Sequence, residues 1–136
     1  MTWWIALLGL ILTWIVIKKI QKVFAHRKAI GQRFVVEYGD HNIIFKEAFP
    51  KIGTIQKSIV VGKRKMFVVD LDSSLQYISK PFKKIVIVER HLGKFIGSNS
   101  RIDVHVLLPK TELNKNQFKL EDFDHVVWAT VKPKVE

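Results

Sequence analysis

The distribution of apolar residues divides the chain into two parts. Residues 3–17 form an uninterrupted apolar run in which Thr13 is the only polar side chain. At a rise of about 1.5 Å per residue, a helix over this run is about 22 Å long, and snorkelling lysines can extend it toward the roughly 30 Å of a bilayer core. The pattern predicts an N-terminal transmembrane helix.

Beyond Gly31, the pattern changes to short β-branched and aromatic runs separated by turn residues, which is typical of strands. Seven strands are predicted, over residues 34–38, 43–45, 58–61, 66–70, 84–89, 101–108 and 125–132. They predict a mainly-β soluble domain, either a sandwich or a partly open barrel, with an α+β fold as the alternative. A short helix is predicted over residues 74–79, a surface loop over residues 112–124, and Pro81 is expected between strands.

The apolar run has two rival interpretations, a cleaved secretory signal and a buried core helix. A signal sequence carries positive charge before its apolar region, whereas here Met1 and Thr2 have uncharged side chains and the first lysines, Lys18 and Lys19, follow the run. This charge order favours an anchor. By the positive-inside rule, it predicts that the N-terminus lies outside and the C-terminal domain in the cytoplasm.

Positive charge is concentrated directly after the apolar run. The chain carries a formal net charge of +11, and residues 18–33 contain six basic residues and no acid. Each lysine or arginine held near an anionic leaflet contributes about 1 kcal/mol to membrane binding. The residues predicted to bind lipid headgroups are Lys18, Lys19, Lys22, Arg27, Lys28 and Arg33.

Small side chains line one face of the predicted helix. At about 100° per residue, Ala6, Gly9 and Thr13 lie within a narrow arc, and such an arc lets two membrane helices approach closely. The stripe predicts packing against a helix of another subunit, although chance composition also produces such stripes. The helix is expected to continue to about residue 28 as an amphipathic stalk. We therefore divide the chain into an anchor with its stalk, residues 1–31, and a basic strand-rich domain, residues 32–136.

Composition argues against several kinds of chemistry. The chain has no cysteine, which excludes disulfides, cysteine-based zinc sites and thiol nucleophiles. Its five histidines show no metal-ligand spacing such as i and i+4 on a helix. The roughly 100 residues after the anchor are also few for a two-lobed enzyme. We expect no metal site, no cofactor and no catalytic residues.

One short segment resembles an enzyme motif. Met66–Ser73 is an apolar strand ending in two alternating aspartates, and it resembles the first motif of the haloacid dehalogenase-like phosphatases. The resemblance implies that Asp70 is a nucleophile and Asp72 an acid/base, on a parallel sheet with a magnesium site completed by a downstream lysine and acidic pair. The residues that follow predict strands without alternating helices and offer no such acidic pair. An Asp-rich turn after a hairpin strand is the favoured interpretation.

The strand-rich domain also carries basic clusters that could contact phosphates. The candidate nucleic-acid-binding residues are Lys63, Arg64, Lys65, Lys83 and Lys84. The aromatic residues that could stack on bases are Phe34, Tyr38, Phe45 and Phe67, although aromatics at alternate strand positions usually fill a core.

These observations lead to one functional expectation and one alternative. We expect a single-pass membrane-anchored structural or interaction subunit of a larger assembly, which contacts membrane lipid and, through its helix and its β domain, other protein subunits. The alternative is a membrane-tethered nucleic-acid-binding protein that links a genome to a membrane, in a cell or in a membrane-containing virion.

Overall fold

The computed structural model of the chain describes residues 2–38, 50–77, 80–90, 95–98 and 100–134, without the side chains of Tyr38, Tyr77 and residues 125–127. Within these residues, one α-helix is followed by strands and one short 3-10 helix. The elements are α1 Thr2–Ala29, β1 Arg33–Tyr38, β2 Lys51–Val61, β3 Arg64–Tyr77, β4 Lys80–Glu89, β5 Ile102–Pro109, β6 Gln117–Phe118, the 3-10 helix Leu120–Asp122 and β7 Phe123–Pro133.

The N-terminal helix α1 is 28 residues long and apolar enough to span a membrane. Every residue from Thr2 to Ile17 is exposed, so no described part of the chain covers this apolar surface. The last turn contains His26, Arg27 and Lys28, and basic side chains at a helix C-terminus interact favourably with the helix dipole. The predicted helical end near residue 28 is confirmed.

The strands form a closed antiparallel barrel. Six of them follow one another in the order β1, β7, β5, β4, β3 and β2, and β2 returns to β1 through pairs such as Ile52 with Val35. The mainly-β prediction is confirmed, but the sandwich and the partly open barrel are corrected to a closed barrel. Closure depends on β1, which pairs with β7 on one side and with β2 on the other.

Two hydrophobic cores stabilise the barrel, one inside it and one on its outer face. In β4, Ile85 and Ile87 point into the barrel, whereas Val86 and Val88 belong to the outer core. Because both faces of the second half of β4 are buried, residues 85–88 form a continuous apolar run instead of an alternating one. The outer core is covered by the segment that runs from the end of β5 into the start of β7, which contributes Leu113, Phe118 and Phe123.

This covering segment corrects the predicted surface loop at residues 112–124. Its β6 pairs in parallel with the end of β2, at Val60 and Val61, and the backbone N–H of Gly62 donates to the Phe118 carbonyl at 3.0 Å. The acidic and lysine side chains face solvent, and the two buried phenylalanines hold the segment on the sheet.

Other local predictions have mixed outcomes. The strands predicted over residues 34–38, 58–61, 66–70, 84–89 and 125–132 lie inside observed strands, and that over residues 101–108 begins one residue before β5. Residues 43–45 lie outside the described part. The helix over residues 74–79 is wrong for residues 74–77, which continue β3. Pro81 lies within β4 and not between strands. Among the described residues, β4 pairs with β5 only from Val86 onward, so the first half of β4 is an edge on that side. Proline, which has no backbone N–H to donate, is tolerated at such an edge.

Candidate functional site at the junction of helix and barrel

The last turn of α1 inserts a histidine into the end of the barrel. His26 is 2% exposed, and its Nε2 atom lies 2.7 Å from Oε1 of Glu89, the last residue of β4. Ala29, one turn later, is fully buried in the core inside the barrel. The end of the helix therefore contributes side chains to the core of the domain.

Several hydrogen bonds converge on the Glu89 carboxylate. Burial raises the pKa of Glu89, but hydrogen bonds from His26, from its own backbone N–H and from the backbone N–H of Ile96 outweigh burial, so its pKa lies below the usual 4.5. An ionised carboxylate only accepts hydrogen bonds, so Nε2 of His26 carries the proton that is donated. The junction is thus a charge-assisted hydrogen bond removed from solvent.

Two aromatic rings enclose this histidine. The rings of Phe67 and Phe95 lie edge-on to the His26 imidazole, with centroid separations of 4.9 and 6.2 Å. Phe67 is fully buried and comes from β3. With these rings on the imidazole and Glu89 on its Nε2 atom, the histidine is fixed in orientation as well as in position.

A glycine allows the segment 95–98 to close over the same helical turn. Gly97 has a φ of +100°, and a Cβ at this position would overlap the Ala25 carbonyl oxygen and lie 3.1 Å from the Ala29 Cβ. Only glycine combines this backbone conformation with so close an approach. The helix is therefore joined to the barrel by tertiary packing, and not only by the chain connection to β1.

Sequence reasoning missed this junction. The predicted amphipathic stalk includes no contact with the β domain, whereas the helical face that carries His26 and Ala29 docks on the barrel. The arc of the stalk opposite this docking face carries Ile20 and Phe24, which are 47% and 65% exposed. The available signal was the small residues Ala25 and Ala29 on either side of a histidine, in an otherwise basic last turn.

The residues predicted to bind lipid headgroups lie in two places. Lys19, Lys22, Arg27 and Lys28 are exposed on α1, together with the half-buried Lys18, whose ammonium lies 5.8 Å from the centroid of the Trp14 ring. Arg33 begins β1 and forms an ion pair with Asp72. The Arg33 guanidinium lowers the pKa of Asp72 through this hydrogen bond, so the positive charge of Arg33 already has a partner within the protein.

The predicted helix-packing stripe is open to its surroundings. Ala6, Gly9 and Thr13 are all exposed, and a side chain at Gly9 would meet no atom within 4 Å. The Thr13 hydroxyl donates to the Gly9 carbonyl oxygen at 2.7 Å. This bond satisfies the hydroxyl proton within the helix, so the stripe can face lipid or another helix without an unpaired donor.

The candidate nucleic-acid-binding residues fall into two separate groups. Lys63, Arg64 and Lys65 lie at the turn between β2 and β3, where the Arg64 guanidinium donates to the Glu89 carbonyl oxygen. Lys84 pairs in register with Asp70, six residues along β3 from Arg64, which corresponds to about 20 Å. Lys83 and Lys84 therefore lie well away from the junction, and the five residues do not form one patch.

The second group borders an open cleft of about 560 Å³ beside the edge of β4. Its lining includes Lys80, Lys83, Lys84 and Lys110, and the Lys83 ammonium donates to the Leu71 carbonyl oxygen. A cleft with these lysines is suited to an anionic ligand. Lysines on a strand edge also prevent pairing with another chain, so the same residues have a structural explanation.

The predicted stacking aromatics are only partly described. Phe34 and Phe67 are buried inside the barrel, so they fill the core and present no face to a base. The side chain of Tyr38 and all of Phe45 lie outside the described part of the chain.

The aspartates of the phosphatase-like segment lie on an antiparallel strand. β3 pairs antiparallel with both β2 and β4, whereas the resemblance implied a parallel sheet, and Asp72 is paired with Arg33. Within the described residues, no three His, Asp or Glu side chains are grouped so as to hold a metal ion. The segment is a long strand with a register shift after Asp70.

Comparisons with protein-family models, with curated proteins and with solved structures find no match for this chain.

Proposed function

We propose that the chain is a single-pass membrane-anchored structural or interaction subunit of a larger membrane-associated assembly. The observation that carries the proposal is the contrast within one continuous helix. Residues 2–17 of α1 expose an apolar surface, whereas His26 and Ala29 at its end are buried in the barrel. An apolar helix that is uncovered over its first part and docked over its last turn suits an anchor that holds a folded domain at a membrane.

The orientation proposed for this anchor follows from charge. The lysines that begin at Lys18 oppose translocation, whereas the side chains before Trp3 carry no charge. The N-terminus then lies outside and the barrel in the cytoplasm, where residues 18–28 of the helix meet an anionic leaflet.

The junction supports a role in assembly. Because the helix is held by the His26 hydrogen bond and by the close packing of Gly97, the barrel keeps a fixed position relative to its anchor. A fixed position suits a subunit that contacts one neighbour in the bilayer, through the face of Ala6, Gly9 and Thr13, and another at the surface. The proposal assigns no catalytic residue and no cofactor.

Purification of the full-length chain from its native membranes tests this proposal. In a mild detergent, a C-terminally tagged chain should bring down the same protein partners at constant ratio through successive affinity and size-exclusion steps. Recovery of the chain as an isolated monomer, from membranes in which it is present at native level, would contradict the proposed role.

The alternative, a membrane-tethered nucleic-acid binder, is favoured by one observation, the lysine-lined cleft beside β4. It predicts that binding of DNA to the full-length protein in detergent weakens steeply and linearly with the logarithm of salt concentration. The double variant Lys83→Gln, Lys84→Gln should then reduce the slope of DNA affinity against the logarithm of salt concentration. Replacing Lys18 and Lys19 by glutamine should leave this slope unchanged. The full chain is required because residues 32–136 alone lack His26 and Ala29.

A further inference from the structure

We propose that the turn between β2 and β3, Gly62–Lys65, lies at the membrane surface and binds anionic lipid headgroups. This inference rests on the proposed anchoring and adds a second membrane contact, made by the barrel. We refer to these four residues as the basic turn.

Hydrogen bonds place the basic turn close to the end of the anchor helix. Arg64 donates to the backbone carbonyl of Glu89, and the carboxylate of the same residue binds His26 on α1. Two successive hydrogen bonds thus join the basic turn to the last helical turn of the anchor. The basic turn is tight, since Val61 pairs directly with Arg64 and Gly62 adopts a φ of +63°, so its position is well defined.

The length of helix between the apolar run and His26 places the junction close to the headgroup layer. His26 lies nine residues after Ile17, about 14 Å, and the headgroup layer occupies roughly 5 to 8 Å beyond the hydrocarbon core. The remaining distance is comparable to the Debye length of about 8 Å at physiological salt. Val23 and Phe24 are apolar and are 50% and 65% exposed, which favours a shorter distance between the junction and the bilayer. Any tilt of the helix reduces this distance further.

The basic turn presents positive charge to solvent. Lys63, Arg64 and Lys65 are all exposed, and none of the described residues forms an ion pair with them. Some other cations of the domain already have a carboxylate partner. Arg101 and Lys132 share the carboxylate of Glu37, at 3.2 and 2.6 Å, and the hydrogen bond from Lys132 lowers the pKa of that carboxyl group. The unpaired charge of the basic turn thus joins that of Arg27 and Lys28 at one end of the molecule.

Lipid headgroups fit this surface better than nucleic acid does. A nucleic-acid groove requires a continuous basic track, but Lys84 lies about 20 Å away along the sheet, and Phe67 beside the junction is buried. A headgroup requires only cations held near the bilayer, each contributing about 1 kcal/mol.

Fluorescence quenching in the full-length protein tests the proposal. Because the chain has no cysteine, single labels can be placed by Lys63→Cys, Lys22→Cys and Lys80→Cys. Each labelled protein is reconstituted in nanodiscs that contain a headgroup-spin-labelled lipid, with and without phosphatidylserine. Position 22 reports on the anchor. Position 80 is the distant control, because it pairs with Tyr77, 13 residues or about 43 Å along β3 from Arg64.

We expect the label at position 63 to be quenched nearly as strongly as that at position 22 and several times more than that at position 80. Quenching at position 63 should increase with phosphatidylserine and decrease with salt. Adding Lys65→Gln should reduce this lipid dependence, whereas Lys84→Gln, a charge change at the distant group, should not.

The outcomes that would overturn the inference are distinct from failure of the anchor. Equal quenching at positions 63 and 80 would remove the basic turn from the membrane surface. Quenching at position 63 that does not change with phosphatidylserine would overturn headgroup binding. Relief of quenching by short single-stranded DNA would assign the turn to nucleic acid. An unquenched label at position 22 would instead contradict the anchor on which the inference rests.

Discussion

His26 and Glu89 are 63 positions apart in the sequence and 2.7 Å apart in the structure. His26 lies in the last turn of α1, and Glu89 is the last residue of β4. The hydrogen bond between them turns an apolar helix followed by a separate domain into a single connected structure. In the proposed membrane setting, it determines how far from the bilayer the barrel lies and which of its ends faces the lipid.

Removal of the Glu89 carboxylate should destabilise the junction. Glu89→Ala leaves the His26 Nε2–H and the Ile96 N–H without their buried acceptor, and each unsatisfied buried donor costs about 1 to 3 kcal/mol. Glu89→Gln keeps an amide oxygen in place and should cost clearly less. Chemical denaturation of the full-length protein in detergent, followed by circular dichroism of the strands, measures both. Equal losses in the two variants would show that the acceptor is unimportant.

The contribution of Glu89 should depend on pH in a defined direction. Its pKa is lowered in the folded state from the usual 4.5, so its stabilising effect is fully present above pH 4.5 and is lost as pH falls through the folded-state pKa. The difference in unfolding free energy between wild type and Glu89→Gln should therefore shrink on acidification. Glu37 and Asp72, whose pKa values are also lowered, titrate in both proteins and cancel. A difference that stays constant as pH falls well below 4.5 would contradict an ionised Glu89 carboxylate at the junction.

Gly97→Ala should loosen the helix from the barrel. The new Cβ would overlap the Ala25 carbonyl, whereas Gly62→Ala, the matched control at another positive φ, meets no atom within 4 Å. Both variants incur a backbone cost of about 1 to 2 kcal/mol, and Gly97→Ala should lose at least about 2 kcal/mol more through overlap. Trypsin cleavage after Arg27 and Lys28 should accelerate only in Gly97→Ala. Equal cleavage rates in the two variants would mean that the close approach does not hold the helix.

Gly9→Leu should separate assembly through the helix from assembly through the barrel. The substitution has space within the chain and favours membrane insertion, but it places a branched side chain where another helix would approach. Partners held by this face should be lost at unchanged membrane levels. Leu8→Ala, at an exposed position on a different face, should retain them. If crosslinking in mild detergent recovers the same partners from both variants, the stripe is chance composition and the barrel alone drives assembly.

The helix and most strands could be predicted from the sequence because they depend on local pattern. An uninterrupted apolar run and β-branched segments of the right length are enough to define them. The segment 74–77 was misassigned because the adjacent Ser73 and Ser74 interrupt the strand pattern. It continues β3 through pairs such as Leu75 with Phe82. The covering segment was misassigned because its polar composition hides the two anchoring residues, Phe118 and Phe123.

Barrel closure and the junction could not be predicted because both depend on contacts between distant parts of the chain. No feature of the β1 sequence indicates that this strand pairs with β7, about 100 residues later. In the same way, no residue near His26 in the sequence indicates Glu89 as its partner. The helical face that carries His26 also carries lysines, which is typical of a solvated face. The docking of that face on the barrel can be recognised only from the tertiary structure.

The proposed anchor and its orientation are tested most directly by labelling cysteines from outside intact cells with a membrane-impermeant reagent. Thr2→Cys reports on the N-terminal side of α1 and Lys63→Cys on the barrel, in a chain that contains no other cysteine. The account predicts that the cysteine at position 2 reacts in intact cells, whereas that at position 63 reacts only after permeabilisation. Reaction of both positions in intact cells, or of neither, would contradict a helix that crosses the membrane once with its barrel in the cytoplasm.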